Sequence, residues 1–209
     1  MNRIRVKQKR YQMNLIEEIK GTDIYLLDQI IKGRFLPEHK ILDAGCGRGR
    51  NMRWFANHNY NVQGCDTNEE MLQESPPYTG LPATCFKVAA VENMPYANDE
   101  FDHVICNAVL HFAESPQHFL AMMKEMHRVL KPGGVLFIRM TSKFGLPENY
   151  TDMGNGRFLQ QDGYERFLLT KDLLNQVKTT IGFEQLEPVK SILVEELRSM
   201  TTLVLTKVG

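Results

Sequence analysis

The chain has 209 residues, with 25 basic and 25 acidic side chains and 43% hydrophobic residues. That length favours one domain, which on folding buries roughly 70% of its extended-chain surface. Zero formal net charge and this apolar content exclude collagen-like, disulfide-scaffold and highly charged disordered classes, and argue against a protein held on nucleic acid by charge alone.

The first ten residues carry Arg3, Arg5, Lys7, Lys9 and Arg10 without an acid, which reads as a solvated terminus or as a nucleic-acid arm. No apolar run opens the chain and no 18-residue apolar stretch follows, so a leader and a membrane span are not expected and the cytoplasm is the expected compartment. From Asn14 to Ile31 the apolar spacing predicts two short helices, broken at Gly21 with Thr22 or Asp23 as the second N-cap.

Strand and helix patterns then alternate. Lys40–Asp43 reads as a strand, Arg50–His58 as a helix and Asn61–Cys65 as a strand. A helix near Asn68–Gln73 is expected to end at Ser75, Pro76 and Pro77, because proline lacks the N–H that a helix interior needs. Thr84–Val88 and His103–Asn107 are the third and fourth strands, and Pro116–Leu130 is an amphipathic helix. Pro132, Gly133 and Gly134 stop that helix before a fifth strand, Val135–Met140. Asn149–Gly163 reads as a long irregular insertion, of a kind that often covers a ligand site. A helix at Lys171–Thr180 precedes strands Phe183–Val189 and Thr201–Lys207, whose short connection predicts an antiparallel pair. The fold class is therefore α/β: a doubly wound sheet, mostly parallel, with a terminal antiparallel strand in a three-layer sandwich.

Cys46, Cys65, Cys85 and Cys106 each fall in or beside one of the first four strands. Their spacing matches no zinc site and no metal is expected; as free thiols they pack like small hydrophobes and suit a reducing compartment.

The sharpest local signal is Ile41-Leu42-Asp43-Ala44-Gly45-Cys46-Gly47-Arg48-Gly49-Arg50-Asn51, an apolar strand entering a glycine-rich turn. Gly45 and Gly47 let backbone approach a ligand, and the following helix start offers free N–H groups. Position 50 is arginine where a dinucleotide fingerprint wants glycine, and Asp43 beside the turn suits a cationic amine better than a pyrophosphate. Asp66, closing the second strand, can accept both hydroxyls of a ribose. Each also has a plain structural reading, Asp43 capping the turn and Asp66 capping the next helix.

With the later runs Ala89-Ala90-Val91-Glu92-Asn93-Met94-Pro95-Tyr96, Phe101-Asp102, Asn107-Ala108-Val109-Leu110-His111-Phe112 and Arg128-Val129-Leu130-Lys131-Pro132-Gly133-Gly134, the sequence resembles the class I S-adenosylmethionine-dependent methyltransferases, strongly over about residues 35–140. The resemblance implies a Rossmann-like fold and S-adenosylmethionine as cofactor, leaving as S-adenosylhomocysteine. It implies that Asp43, Gly45, Cys46 and Gly47 wrap the methionine part and that Asp66 holds the ribose. Thr67, Met71, Ala90, Val91, Glu92 and Asn107 complete the expected cofactor site. One departure stands out: the family often has an aspartate, contacting the adenine amine, where this chain has Ala90, so that contact passes to backbone or to a neighbour such as Glu92.

Methyl transfer needs alignment above all, and a base only where the acceptor must lose a proton. His111 after the fourth strand is the candidate base or orienting group, or else a histidine bonded between loops. Tyr11, Tyr25, Tyr150, Tyr164 and Arg139 are candidate acceptor-site residues, and Arg139 reads equally as the partner of a structural acid. The expected arrangement is a single domain over 1–209, with 1–36 as a helical N-terminal cover and 141–168 as an insertion near the active site, in a monomer or homodimer. A small-molecule acceptor is the first expectation; an RNA acceptor, or a noncatalytic partner protein that binds the cofactor, is the alternative.

Overall fold

The computed structural model describes residues 15–209. Residues 3–10 and Tyr11, read above as an arm and a candidate site residue, lie outside them. A helical segment at 15–19 and the left-handed Gly21 precede helix α1 (Ile24–Ile31), whose N-cap Asp23 accepts from the N–H groups of Tyr25 and Leu26.

Strand β1 (Lys40–Ala44) lies mid-sheet, parallel to β2 (Asn61–Asp66) on one side and to β4 (Phe101–Asn107) on the other. β3 (Phe86–Val88) and β5 (Leu130–Thr141) extend the parallel set outward. β9 (Phe183–Gln185) and β10 (Lys190–Val194) both pair antiparallel with β11 (Arg198–Lys207), which pairs antiparallel with β5, giving the order β10-β11-β5-β4-β1-β2-β3. The chain runs outward from β1 to β3, then jumps back across β1 to β4. That reversal leaves a crevice at the carboxyl ends of β1 and β4, where doubly wound folds bind ligands.

Strand residues alternate between two apolar clusters because successive side chains point to opposite faces. Leu42, Val104, Leu136, Ile138 and Leu203 join one cluster; Ile41, Ile105, Phe137 and Val204 join the other. Helix α4 (Pro116–Val129) covers the first face with Phe119, Met122, Met123, Met126 and Val129 buried. Helices α1, α2 (Arg53–Asn57) and α3 (Glu69–Thr79) cover the second with Leu26, Phe55 and Leu72. Cys46, Cys65 and Cys106 are buried free thiols and Cys85 is half-buried.

Several boundaries differ from the sequence reading. Helix α3 does not stop at Ser75 but runs through Pro76 and Pro77 to Thr79. The prolines sit in its last turn, where their missing N–H groups leave the Leu72 and Gln73 carbonyls without the usual helix donor. Ser75 Oγ lies 3.0 Å from Met71 O and 3.1 Å from Gly47 O, Thr79 Oγ1 donates to Ser75 O at 2.8 Å, and left-handed Gly80 ends the helix. Helix α2 is shorter than Arg50–His58 because residues 47–52 are taken up by turns of the glycine-rich loop. A 3-10 turn, Ala83–Cys85, replaces the start of the third strand, and the fourth starts two residues earlier than expected, at Phe101. Strand β5 starts at Leu130, paired with Phe101, and Pro132-Gly133-Gly134 forms a bulge within it, before Val135 pairs with His103.

The insertion is not irregular. β6 (Thr151–Gly154), β7 (Arg157–Leu159) and β8 (Glu165–Phe167) form an antiparallel sheet of their own. The Gly and Asn content supplies a hairpin turn, with Gly154, Asn155 and Gly156 all left-handed at φ 83°, 54° and 74°.

The β10–β11 hairpin turns on Glu195 and Glu196, at φ 51° and 58°. Side chains at left-handed positions cost about 1–2 kcal/mol each. Glu196→Gly is therefore expected to stabilise the protein by about 1 kcal/mol, read as a raised urea midpoint with unchanged slope.

Candidate active site

A cavity of about 670 Å³ opens at the carboxyl ends of β1, β2, β3 and β4. Gly45, Cys46 and Gly47 enter it from β1, Asp66 and Thr67 from β2, Ala89–Glu92 from beyond β3, and Asn107–Val109 from β4. Met71 and Tyr78 from α3, Phe112, and His118 and Met122 from α4 complete the walls with Arg48 and Arg50.

Gly45 is glycine for two reasons. Its φ is +78°, and an added Cβ would stand 2.3 Å from Val109 Cγ2. The loops after β1 and β4 thus touch backbone against side chain. Ala108 beside it is held left-handed at φ 63°, with its N–H donating to Arg139 O at 2.8 Å.

Asp66 has both structural and binding capacity. Its Oδ2 accepts the Gly47 N–H at 2.8 Å, its Oδ1 accepts the Asn68 N–H at 2.9 Å, and the carboxylate still lines the cavity. A carboxylate has about four acceptor sites, so lone pairs remain for two hydroxyl donors.

Asp43 lies behind the glycine turn rather than on the cavity wall, 1% exposed, with neither carboxyl oxygen hydrogen-bonded. Burial pushes its pKa up to about 7, with Arg50 opposing and Asp66 adding to the shift. Asn107 is on the wall, 6% exposed, and its Nδ2 is also without a partner. Native interiors seldom leave such groups unpaired. Of the two, Asn107 on the wall marks where a polar ligand belongs.

The other predicted residues are placed differently. His111 sits in a 3-10 turn (Leu110–Phe112), buried, with Nδ1 unbonded and its ring edge-on to Phe112. Phe112 lines the cavity and His111 does not. Burial, with the Arg166 guanidinium adding to it, pushes the His111 pKa down to about 4. Arg139 pairs with Asp23 at 3.4 Å and its guanidinium lies 4.2 Å from the Tyr25 ring centre. Tyr150 packs on Phe158 within the insertion, and Tyr164 is 65% exposed beside Arg166. Tyr25, Arg139, Tyr150 and Tyr164 are thus not among the residues lining the cavity.

Residues that sequence reasoning missed are Arg48, Arg50, Tyr78, Ala89, Ala108, Val109, Phe112, His118 and Met122. Tyr78 was hidden by the helix boundary at the prolines. His118 carried a signal, standing in the first turn of α4 behind the N-cap Ser115.

Comparison with known proteins fits this geometry. A methyltransferase domain family matches residues 42–138, which hold the glycine turn, Asp66, the post-β3 loop and β4. Residues 42–138 thus match a methyltransferase domain family, and the fold is shared with S-adenosylmethionine-dependent methyltransferases. An uncharacterized protein of Methanocaldococcus jannaschii is 29% identical over 164 residues, 78% of this chain and 73% of that protein. The malonyl-[acyl-carrier protein] O-methyltransferase of Enterobacter lignolyticus is 32% identical over 109 residues, 52% of this chain and 41% of its own. The chain thus matches less than half the length of that enzyme. An S-adenosylmethionine-dependent methyltransferase of Methanosarcina mazei shares the fold, with a TM-score of 0.70 at 23% identity, covering 86% of this chain and 97% of the other.

S-adenosylmethionine is the cofactor that goes with this family, and the residues at the cavity fit it. Asp66 has free acceptor sites for a ribose. The unpartnered Asn107 amide suits the carboxylate of an amino acid, and Met71 and Val91 offer apolar surface to a base. Among the described residues no cluster of three His, Cys, Asp or Glu suits a metal ion, and no helix is long and apolar enough to cross a membrane.

Proposed function

We propose that this chain transfers a methyl group from S-adenosylmethionine to a small-molecule acceptor. The carrying observation is the cavity itself: about 670 Å³, within the range of roughly 300–1,000 Å³ in which proteins bury ligands of cofactor size, with the unpaired amide of Asn107 on its wall. The cofactor supplies an electrophilic methyl carbon on a sulfonium, with a neutral thioether as leaving group.

The chain's own residues bind, orient and exclude water. Asp66 fixes the ribose while its bonds to Gly47 and Asn68 keep the carboxylate from turning. Asn107 receives the amino-acid end, with Asp43 buried behind the turn that meets it. Val109, Phe112 and Met122 give the side towards α4 an apolar wall, and the insertion packs over the turn that carries Phe112. His111 acts in this reading by holding that turn. It is neutral at pH 7 and stands behind Phe112, so no proton transfer passes through it.

The test is a screen with methyl-labelled cofactor against carboxylic acids, phenols, thiols and amines, with unmodified tRNA in parallel. Label is expected in a small acceptor, and the rate for His111→Asn is expected to keep the wild-type pH profile between pH 6 and 8. Its buried imidazole, with a pKa of about 4, does not titrate there. Transfer to tRNA alone would overturn the acceptor class. Cofactor binding without any transfer would favour a noncatalytic partner protein.

A further inference from the structure

Strand β8 of the insertion packs on the turn that carries His111 and Phe112. Two bonds tie the insertion to its surroundings. Arg157 Nη1 donates to Ala113 O at 2.9 Å, and Thr141 Oγ1 at the end of β5 donates to Phe167 O at 3.0 Å. Phe112 lines the cavity from that turn, so the insertion stands beside the space that an acceptor enters.

One guanidinium in the insertion is only partly used. Arg166 aims a single nitrogen, Nη1, at Gln160 Oε1 at 2.8 Å and at both carboxyl oxygens of Asp162 at 2.9 Å and 3.0 Å. Among the described residues its Nε and Nη2 have no partner, and 15% of the side chain is exposed. Those two groups form the planar edge that matches a carboxylate. Arg198 Nη1 also donates to Asp162, at 3.3 Å, so two guanidinium groups share one carboxylate and a positive charge is left over. Two buried side chains next to Arg166 are unpaired as well. Gln160 is 3% exposed, and its Nε2, on the same amide carbon as the oxygen that meets Arg166, has no partner. His111 is 9% exposed with Nδ1 unbonded, and Arg166 stands near enough to help keep its ring neutral. Buried polar groups are rarely left in this state without something to meet them.

The geometry points to a subsite for a carboxylate on the acceptor, with Arg166 Nε and Nη2 taking its two oxygens and Gln160 Nε2 and the neutral His111 Nδ1–H as flanking donors. The proposal rests on the reading that this chain methylates a small molecule, and it names the charge that molecule carries. The carboxylate is an anchor, and the nucleophile elsewhere on the acceptor reaches the cavity past Phe112. His111 donates a hydrogen bond here and gives up no proton. The single excess charge suits a monoanion, and a site built of donors strongly rejects the neutral analogue that leaves them unpaired.

The test adds benzoate, its neutral counterpart benzamide, or phenylphosphonate to isotope-labelled protein saturated with S-adenosylhomocysteine, read by NMR. Benzoate is expected to shift the Arg166 Nε–H and Gln160 side-chain amide signals saturably, and benzamide to bind about tenfold or more weakly, the weight of a hydrogen bond to a charged group. Arg166→Lys keeps the charge without the planar edge, and about a tenfold loss of benzoate affinity is expected. Gln160→Glu places a carboxylate beside that edge and is expected to abolish benzoate binding, while its S-adenosylhomocysteine affinity stays within about twofold of wild type and reports an intact fold. Against an acceptor found in the methyl-transfer screen, benzoate is expected to raise KM and leave kcat unchanged. Equal binding of benzamide, shifts with phenylphosphonate alone, or benzoate bound at Arg166 without effect on the acceptor's KM would overturn the subsite and leave methyl transfer standing. A folded wild type that does not bind S-adenosylhomocysteine overturns the cofactor reading and this proposal together.

Discussion

Asp66→Ala is expected to weaken S-adenosylhomocysteine binding by about 100-fold or more, measured by calorimetric titration. The carboxylate offers two ribose hydroxyls charge-assisted acceptors, each worth about 1.5–3 kcal/mol, and a 100-fold loss corresponds to about 2.7 kcal/mol. The alanine variant also removes the acceptor of the Gly47 N–H, loosening the turn that meets the amino-acid end of the ligand. Asp66→Asn separates the two contributions. Its amide keeps one acceptor oxygen and the turn's shape, so a loss of only about tenfold is expected. An alanine variant within threefold of wild type would show that the ribose is held elsewhere.

Gly45→Ala is expected to be the most destabilising single substitution at the site, by about 3 kcal/mol in urea unfolding. A left-handed alanine costs about 1–2 kcal/mol, and forcing a Cβ into packed space typically adds about 1–3 kcal/mol. Here that Cβ would stand 2.3 Å and 3.0 Å from the two methyl carbons of Val109, so one loop must move off the other. Adding Val109→Ala should recover the packing part and leave the backbone part. Each variant alone and both together form a double-mutant cycle, and strong non-additivity is the expected signature of direct contact. Additive losses would mean that the two loops do not bear on each other as the structure places them.

The sheet was largely readable because its strands are buried on both faces. Ile41-Leu42, Val104-Ile105-Cys106 and Leu136-Phe137-Ile138 serve two cores at once and appear as continuous apolar runs between helical patterns. The antiparallel pairing of the Phe183 strand with β11 followed from a connection too short for a crossover, but that connection holds a further strand, Lys190–Val194, which forms the hairpin with β11. Local turn chemistry misled in three places. Pro76 and Pro77 argue for a helix end, yet α3 runs past them with Leu72, Ser75 and Thr79 buried along one side. Pro132-Gly133-Gly134 read as a break and is a bulge inside β5. Gly154-Asn155-Gly156 read as irregular loop and is the turn of a hairpin.

The cavity divides along the same line. Gly45, Cys46, Gly47, Asp66, Thr67, Ala90, Val91, Glu92 and Asn107 were named from motifs that sit on or just past strand ends, and strand order brings them to one edge, where Met71 joins them from α3. Residues from covering elements were not readable in this way. Tyr25, Arg139, Tyr150 and Tyr164 were placed by chain position, and their contacts run to Asp23, Phe158 and Arg166 instead. His118 and Phe112 reach the wall through the angle at which α4 and the turn before it dock, and no spacing in the sequence encodes that angle.

The central claim is that the crevice between β1 and β4 is a working S-adenosylmethionine site. Calorimetric titration of the unmodified protein with S-adenosylhomocysteine tests it most directly. The predicted result is saturable one-to-one binding with a Kd of about 10 μM or tighter, near −7 kcal/mol or better. A protein shown to be folded by circular dichroism that gives no saturable heat with either S-adenosylhomocysteine or S-adenosylmethionine at about 1 mM would contradict it.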